Sequence, residues 1–98
     1  MDNNIDSAQA NKECMRTLLP KLYEQGEDNL YFFIAALSSD ENLENLEICE
    51  ASATCLRNVR ELLDELNILE SDKRKSIQDL IDKSIDICVN RKKEFEAK

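Results

Sequence analysis

The chain contains no histidine, no tryptophan, a single glycine (Gly26) and a single proline (Pro20). Without histidine it lacks the commonest general base, the commonest zinc ligand and the usual partner of a serine or cysteine nucleophile, so no enzyme is expected. One glycine cannot build a glycine-rich phosphate loop, which removes the nucleotide-binding fingerprints and the cofactors that go with them. One glycine and one proline also leave few of the residues that hairpin turns need. No apolar run is longer than the eight residues from Leu30 to Leu37, against about 20 for a bilayer-spanning helix. The opening segment MDNNIDSAQANKE is polar and acidic, unlike the basic, then apolar, start of a secretory signal, and predicts a cytoplasmic, reducing location with no membrane partner.

Positive charge is also missing, over a long stretch. Between Lys21 and Arg57 lie Glu24, Glu27, Asp28, Asp40, Glu41, Glu44, Glu47 and Glu50 with no basic residue among them. Residues 1–50 carry eleven acids against Lys12, Arg16 and Lys21, while residues 51–98 carry ten of each sign, so the net charge of −8 arises in the first half. A surface of one sign steers a partner of the opposite sign and repels nucleic acid. Two basic clusters, Lys73-Arg74-Lys75 and Arg91-Lys92-Lys93, sit about 27 Å apart by helical rise. They have no interleaved aromatics, and direct nucleic-acid binding is not expected.

What remains is helix-forming. With 98 residues, 42% apolar and 35% charged, the chain is long enough for one folded domain and one core. Residues 1–6 are expected to fray and 7–98 to form a single helical domain. From Ser7, Cys14, Met15, Leu18, Leu19 and Leu22 recur at steps of three and four, predicting a helix to about Gln25. Pro20 predicts either a kink or a break into two pieces, and Gly26 a stop. A short second helix follows, capped by Asp28 and running through Leu30–Leu37 to Ser38, with a buried strand as the rival reading of so short a run. Leu46, Cys49, Ala53, Leu56, Val59, Leu63 and Leu66 then mark a third helix from Asp40 to Leu66, about 40 Å long, capped by Ser39 or Asp40. Asn67 to Ser71 break the chain. Ile77, Leu80, Ile81, Ser84, Ile85 and Cys88 mark a fourth helix over Asp72–Glu96.

The fold expected is all-α, a four-helix bundle in which a short N-terminal helix pair packs on a long antiparallel hairpin. Charge favours that hairpin: Glu61, Asp64 and Glu65 would meet Lys73, Arg74 and Lys75, and the acidic start of helix three would meet Arg91, Lys92 and Lys93.

The remaining chemistry rests on thiols and carboxylates. Cys14, Cys49, Cys55 and Cys88 are separated by 34, 5 and 32 residues, not the close pairs of a zinc site. Cys49 and Cys55 point about 120° apart on one helix and cannot bridge. Pairing between helices, as Cys14 with Cys88, would need an oxidising compartment. Cys14, Cys49 and Cys88 lie on apolar stripes and read as reduced core residues, with Cys55 exposed or interfacial. Carboxylates at helical spacing, Glu44 with Glu47 and Asp82 with Asp86, lack the histidines of a di-iron bundle. Asp79, Asp82, Lys83 and Asp86 read as a wet stripe with an Asp79–Lys83 pair. No metal or other cofactor is expected.

Two surfaces are left as candidates for function. One is an acidic face of helix three, built by Asp40, Glu41, Glu44, Glu47 and Glu50, which would dock a basic protein and which would equally serve solubility. The other is the apolar-aromatic segment with Tyr31, Phe32 and Phe33, too greasy on all sides to be hidden entirely in so small a bundle. Together they predict a protein-binding module acting as an adaptor, inhibitor or antitoxin- or immunity-like partner of a basic protein. The alternative is a self-associating homodimer. Size and acidity resemble those of small helical immunity proteins of bacterial nuclease toxins, but their helix-three aromatic signature is missing and no family is assigned.

Overall fold

A computed structural model describes residues 7–98, and the frayed start expected for residues 1–6 lies outside them. Four helices follow in order: α1 (Ser7–Gln25), α2 (Glu27–Leu37), α3 (Leu46–Leu66) and α4 (Ser71–Glu96). No strand occurs among the described residues, so the rival strand over Leu30–Leu37 is not what forms. α1 passes through Pro20 as one helix rather than two.

Local chemistry sets the boundaries. Between α1 and α2 only Gly26 intervenes, with φ 149° and ψ 134°, a backbone conformation that side chains with a Cβ rarely adopt. Its N–H donates to the Tyr23 carbonyl and its own carbonyl accepts from the Asn29 N–H. Gly26, not Asp28, therefore stands at the N-cap of α2, and Asp28 contributes as an acid in the first turn. Asn67 ends α3 in the left-handed conformation, φ 51° and ψ 42°, which asparagine tolerates better than most residues. Its side-chain oxygen accepts from Arg74 Nη1 at 3.2 Å, fastening the turn to α4.

The largest departure from the sequence reading is the start of α3, which begins at Leu46 instead of Asp40. Residues 38–45 form a compact turn because their short polar side chains compete for backbone partners. The Ser38 and Ser39 hydroxyls donate back to the carbonyls of Ala35 and Ala36 at 3.3 and 3.0 Å. Asn42 Nδ2 donates to the Leu37 carbonyl at 2.9 Å and to Ser52 Oγ at 3.0 Å. Asn45 is the true cap, its Oδ1 accepting from the Ile48 N–H at 2.9 Å. Leu43, inside this turn, is 1% exposed and joins the core.

The bundle is a ring of neighbours. α3 packs on α4 and on α1, α1 on α2, and α2 on α4. α1 runs in the same direction as α3, since Asn11, Lys12 and Arg16 reach Asn58, Glu61 and Glu65 in that order. Burial on two flanks gives α3 a wider apolar arc than one stripe supplies: Cys49, Ala53, Leu56, Val59 and Leu63 are buried as the periodicity requires, and so are Ser52, Cys55 and Leu62. From α4 the buried residues are Ile77, Ile81, Ser84 and Cys88, with Leu80 and Ile85 half-buried.

Ion pairs follow the expected antiparallel hairpin only in part. Asp40 meets Arg91 at 3.3 Å, Glu50 meets Lys92 at 3.0 Å and Asp64 meets Arg74 at 3.9 Å. Glu61 and Glu65 instead turn to Lys12 and Arg16 of α1, and Lys73 turns to Glu27 of α2. Asp82 crosses to Arg60 at 2.8 Å, while the Asp79–Lys83 pair does not form. Hydrogen bonds from Lys12 and then Arg16 hold the Glu65 carboxyl below its ordinary range, and Arg60 does the same for Asp82.

Two outcomes follow. Asn45→Ala removes the cap of α3 and should cost about 1 kcal/mol in urea unfolding followed by circular dichroism, whereas Asp40→Ala should change stability by less than about 0.5 kcal/mol. An equal loss in both variants would move the helix start back to Asp40. Glu65 and Asp82 titrate lower folded than unfolded, so their stabilisation is complete above the ordinary carboxylate range and is lost as pH falls through the depressed values. Glu65→Gln should therefore make the acid limb of a stability–pH profile shallower, with no change of slope near neutral pH.

Candidate protein-docking surfaces

The later start of α3 redistributes the acidic residues. Asp40, Glu41 and Glu44 belong to the 38–45 turn and only Glu47 and Glu50 to the helix, so the five do not form one helical face. All five are exposed. Asp40 and Glu50 are engaged by Arg91 and Lys92 of α4. Glu41, Glu44 and Glu47 form no ion pair among the described residues. Glu47 stands in the first turn of α3, where the positive end of the helix dipole favours a carboxylate. Arg91 and Lys92 are thus already occupied, and three carboxylates within seven residues face solvent.

Asn42 holds this turn in place, although nothing in the apolar periodicity marks it. By tying the Leu37 carbonyl at the end of α2 to Ser52 on α3, it fixes where the acids project. The signal was the cluster of short polar residues, Ser38, Ser39, Asp40, Asn42 and Asn45, that favours turns over helix interiors. Beside the turn lies a hollow of about 290 Å³ lined by Asn11, Leu37, Asn42, Ile48, Ala51, Ser52 and Cys55. Glu47 is four residues before Ala51 and so neighbours it on the surface of α3.

The aromatic segment divides two ways. Tyr31 and Phe33 are half-buried against the core, and Phe32 alone projects, at 69% exposure. The structure therefore separates Phe32, on the outer side of α2, from the acids at the turn after α2, and of the three aromatics predicted to meet a partner it leaves only Phe32 well exposed.

The cysteines exchange roles relative to the sequence reading. Cys14 is exposed and Cys55 is buried, because α1 lies over the flank of α3 that carries Cys55. Cys49 and Cys88 are buried as expected, and both line a cleft of about 310 Å³ between α3 and α4 that also contains Thr54, Arg57 and Lys92. All four thiols are free. Burial pushes the Cys49, Cys55 and Cys88 thiols up, which disfavours the thiolate that a nucleophile or metal ligand needs. Among the described residues, no three Cys, Asp or Glu side chains converge as metal ligands, and no helix is long and apolar enough to cross a membrane.

Labelling of the native chain with an aromatic disulfide reagent should show one fast thiol of the four, and Cys14→Ser should abolish it. Fast labelling that survives this substitution would mean that one of the three buried thiols, Cys49, Cys55 or Cys88, is accessible instead. In comparisons with known proteins, no family model, no curated protein and no solved structure matches this chain.

Proposed function

We propose that the chain is a protein-binding module, of the adaptor, inhibitor or antitoxin- and immunity-like kind, that engages a basic partner protein by occlusion or scaffolding. The observation that carries this reading is the set of exposed carboxylates on Glu41, Glu44 and Glu47, left without cations while Asp40 and Glu50 consume Arg91 and Lys92. Free charges of one sign raise the rate of encounter with an oppositely charged surface, while pairs already closed contribute little. The hollow beside them, with Leu37, Ile48 and Ala51 in its lining, offers a seat for one apolar side chain of the partner. An apolar anchor ringed by charge is a common division of labour at interfaces, the anchor giving affinity and the charges giving rate.

The test is capture of a partner from the native host at two salt concentrations. A basic protein should be retained at low salt and released at high salt. Converting Glu41, Glu44 and Glu47 together to Gln should slow its association by about tenfold or more at low salt and flatten the salt dependence. A retained protein whose association rate ignores both salt and the triple substitution would refute the reading.

A further inference from the structure

The hollow beside the acidic turn has two kinds of wall. Leu37, Ile48 and Ala51 make the apolar one, which would hold an alkyl stem as well as a whole apolar side chain. The polar wall decides between them. Asn42 gives both protons of its side-chain amide away, one to the Leu37 carbonyl at 2.9 Å and one to Ser52 Oγ at 3.0 Å, which fixes the way the amide faces. Its Oδ1 accepts from no donor among the described residues and is not sealed from solvent. A wholly apolar occupant would strip water from that oxygen and return no hydrogen bond, whereas a donor at the end of an alkyl stem replaces the water it displaces.

Charge points the same way on every element around the hollow. Glu41 and Glu47 are next in the chain to the lining residues Asn42 and Ile48, and with Glu44 they are exposed and form no ion pair among the described residues. Asp40 and Glu50 are closed by Arg91 and Lys92. On α1, Lys12 beside the lining residue Asn11 is closed by Glu61 and Glu65, and Glu13 by Arg16. Arg57 of α3 lines the cleft against α4 instead. α2 carries no charged residue from Asn29 to its end at Leu37, so the negative end of its dipole reaches the hollow unanswered.

We propose that this hollow receives a lysine of the basic partner, its alkyl stem against Leu37, Ile48 and Ala51 and its ammonium on Asn42 Oδ1 and the free carboxylates. Size allows it: an apolar cavity of about 150 Å³ holds a benzene ring, and the hollow has about 290 Å³. Lysine fits better than arginine. An ammonium is a point charge with three turning donors, which suits a lone amide oxygen, whereas the planar fork of arginine suits a carboxylate, and the lining contains none. The inference rests on the reading of the acidic turn as a dock for a basic protein, and it narrows that reading by making the anchor cationic at its tip.

Magnetic resonance titration of the full chain with pentalysine tests it, at low salt and about pH 6, where carboxylates and amines are both charged. Signals of the Asn42 side-chain amide and of the Ile48 and Ala51 methyl groups should shift, with a dissociation constant below about 1 mM. A pentamer of diaminobutyric acid, equally charged on stems two methylenes shorter, should bind about tenfold more weakly. Ala51→Leu fills the hollow from an exposed position without changing charge. It should weaken pentalysine by about tenfold and leave the shorter-stemmed peptide unchanged. Norleucine in place of the central lysine should not tighten binding. Equal affinity for the two stem lengths, tighter binding of the norleucine peptide, or no shift at Asn42, Ile48 and Ala51 would overturn the proposal. Partner capture and the conversion of Glu41, Glu44 and Glu47 to Gln test the dock itself. A partner held there in a salt-dependent way, while both stem lengths bind alike, would keep the dock and remove the lysine anchor.

Discussion

Burial of α3 on two sides is the constraint from which the rest of the molecule follows. Leu56, Val59, Leu62 and Leu63 are fully enclosed, and each such side chain contributes about 1.5–3 kcal/mol by leaving water. α4 covers one flank and α1 the other. A single stripe would need only one neighbour, so the second flank, with Cys55 and Leu62, is what brings the N-terminal helix onto the hairpin. α2 then closes the ring by bridging α1 and α4, and Leu30 and Ile34 fill the remaining core with no exposed surface of their own.

The distribution of charge depends on that packing. Ion pairs at the surface are each worth about 0–1 kcal/mol, too little to direct the fold, but their geometry decides which acids remain free. Because α1 lies along α3, Lys12 and Arg16 take Glu61 and Glu65. Because the end of α4 returns to the start of α3, Arg91 and Lys92 take Asp40 and Glu50. The negative excess that survives is concentrated on Glu41, Glu44 and Glu47, around a turn held rigid by Asn42 and capped by Asn45. Stability and the candidate docking surface are therefore set by different residues: the core rests on α3, and the exposed carboxylates cost the core nothing.

The two surfaces also differ in kind. The acidic turn offers net charge and one small hollow, which suits recognition of a dissimilar, basic molecule. The α2–α4 flank offers exposed apolar side chains, Phe32 and Ile87, with Asp79 and Asp86 on either side of Lys83. Keeping Phe32 outside while Tyr31 and Phe33 lean on the core gives the second surface its centre.

Composition and periodicity together determined the all-helical class and the spans of α1 and α4, because a chain with one glycine and one proline offers its backbone few alternatives. Periodicity also marked most of the residues that α3 and α4 bury, Cys49, Ala53, Leu56, Val59 and Leu63 on one and Ile77, Ile81, Ser84 and Cys88 on the other. The start of α3 was not legible from spacing, since Leu43 and Leu46 suit a helix as well as a turn. Hydrogen bonds from Ser38, Ser39 and Asn42 decided it, and those need partners on α2 and α3 that only the folded chain brings near. Which cysteine is exposed, and which aromatic, was decided in the same way. A helical wheel fixes angles between side chains on one helix but not where a second neighbour will lie, so Cys14, Cys55 and Phe32 acquired their places only when α1 and α2 settled against the hairpin.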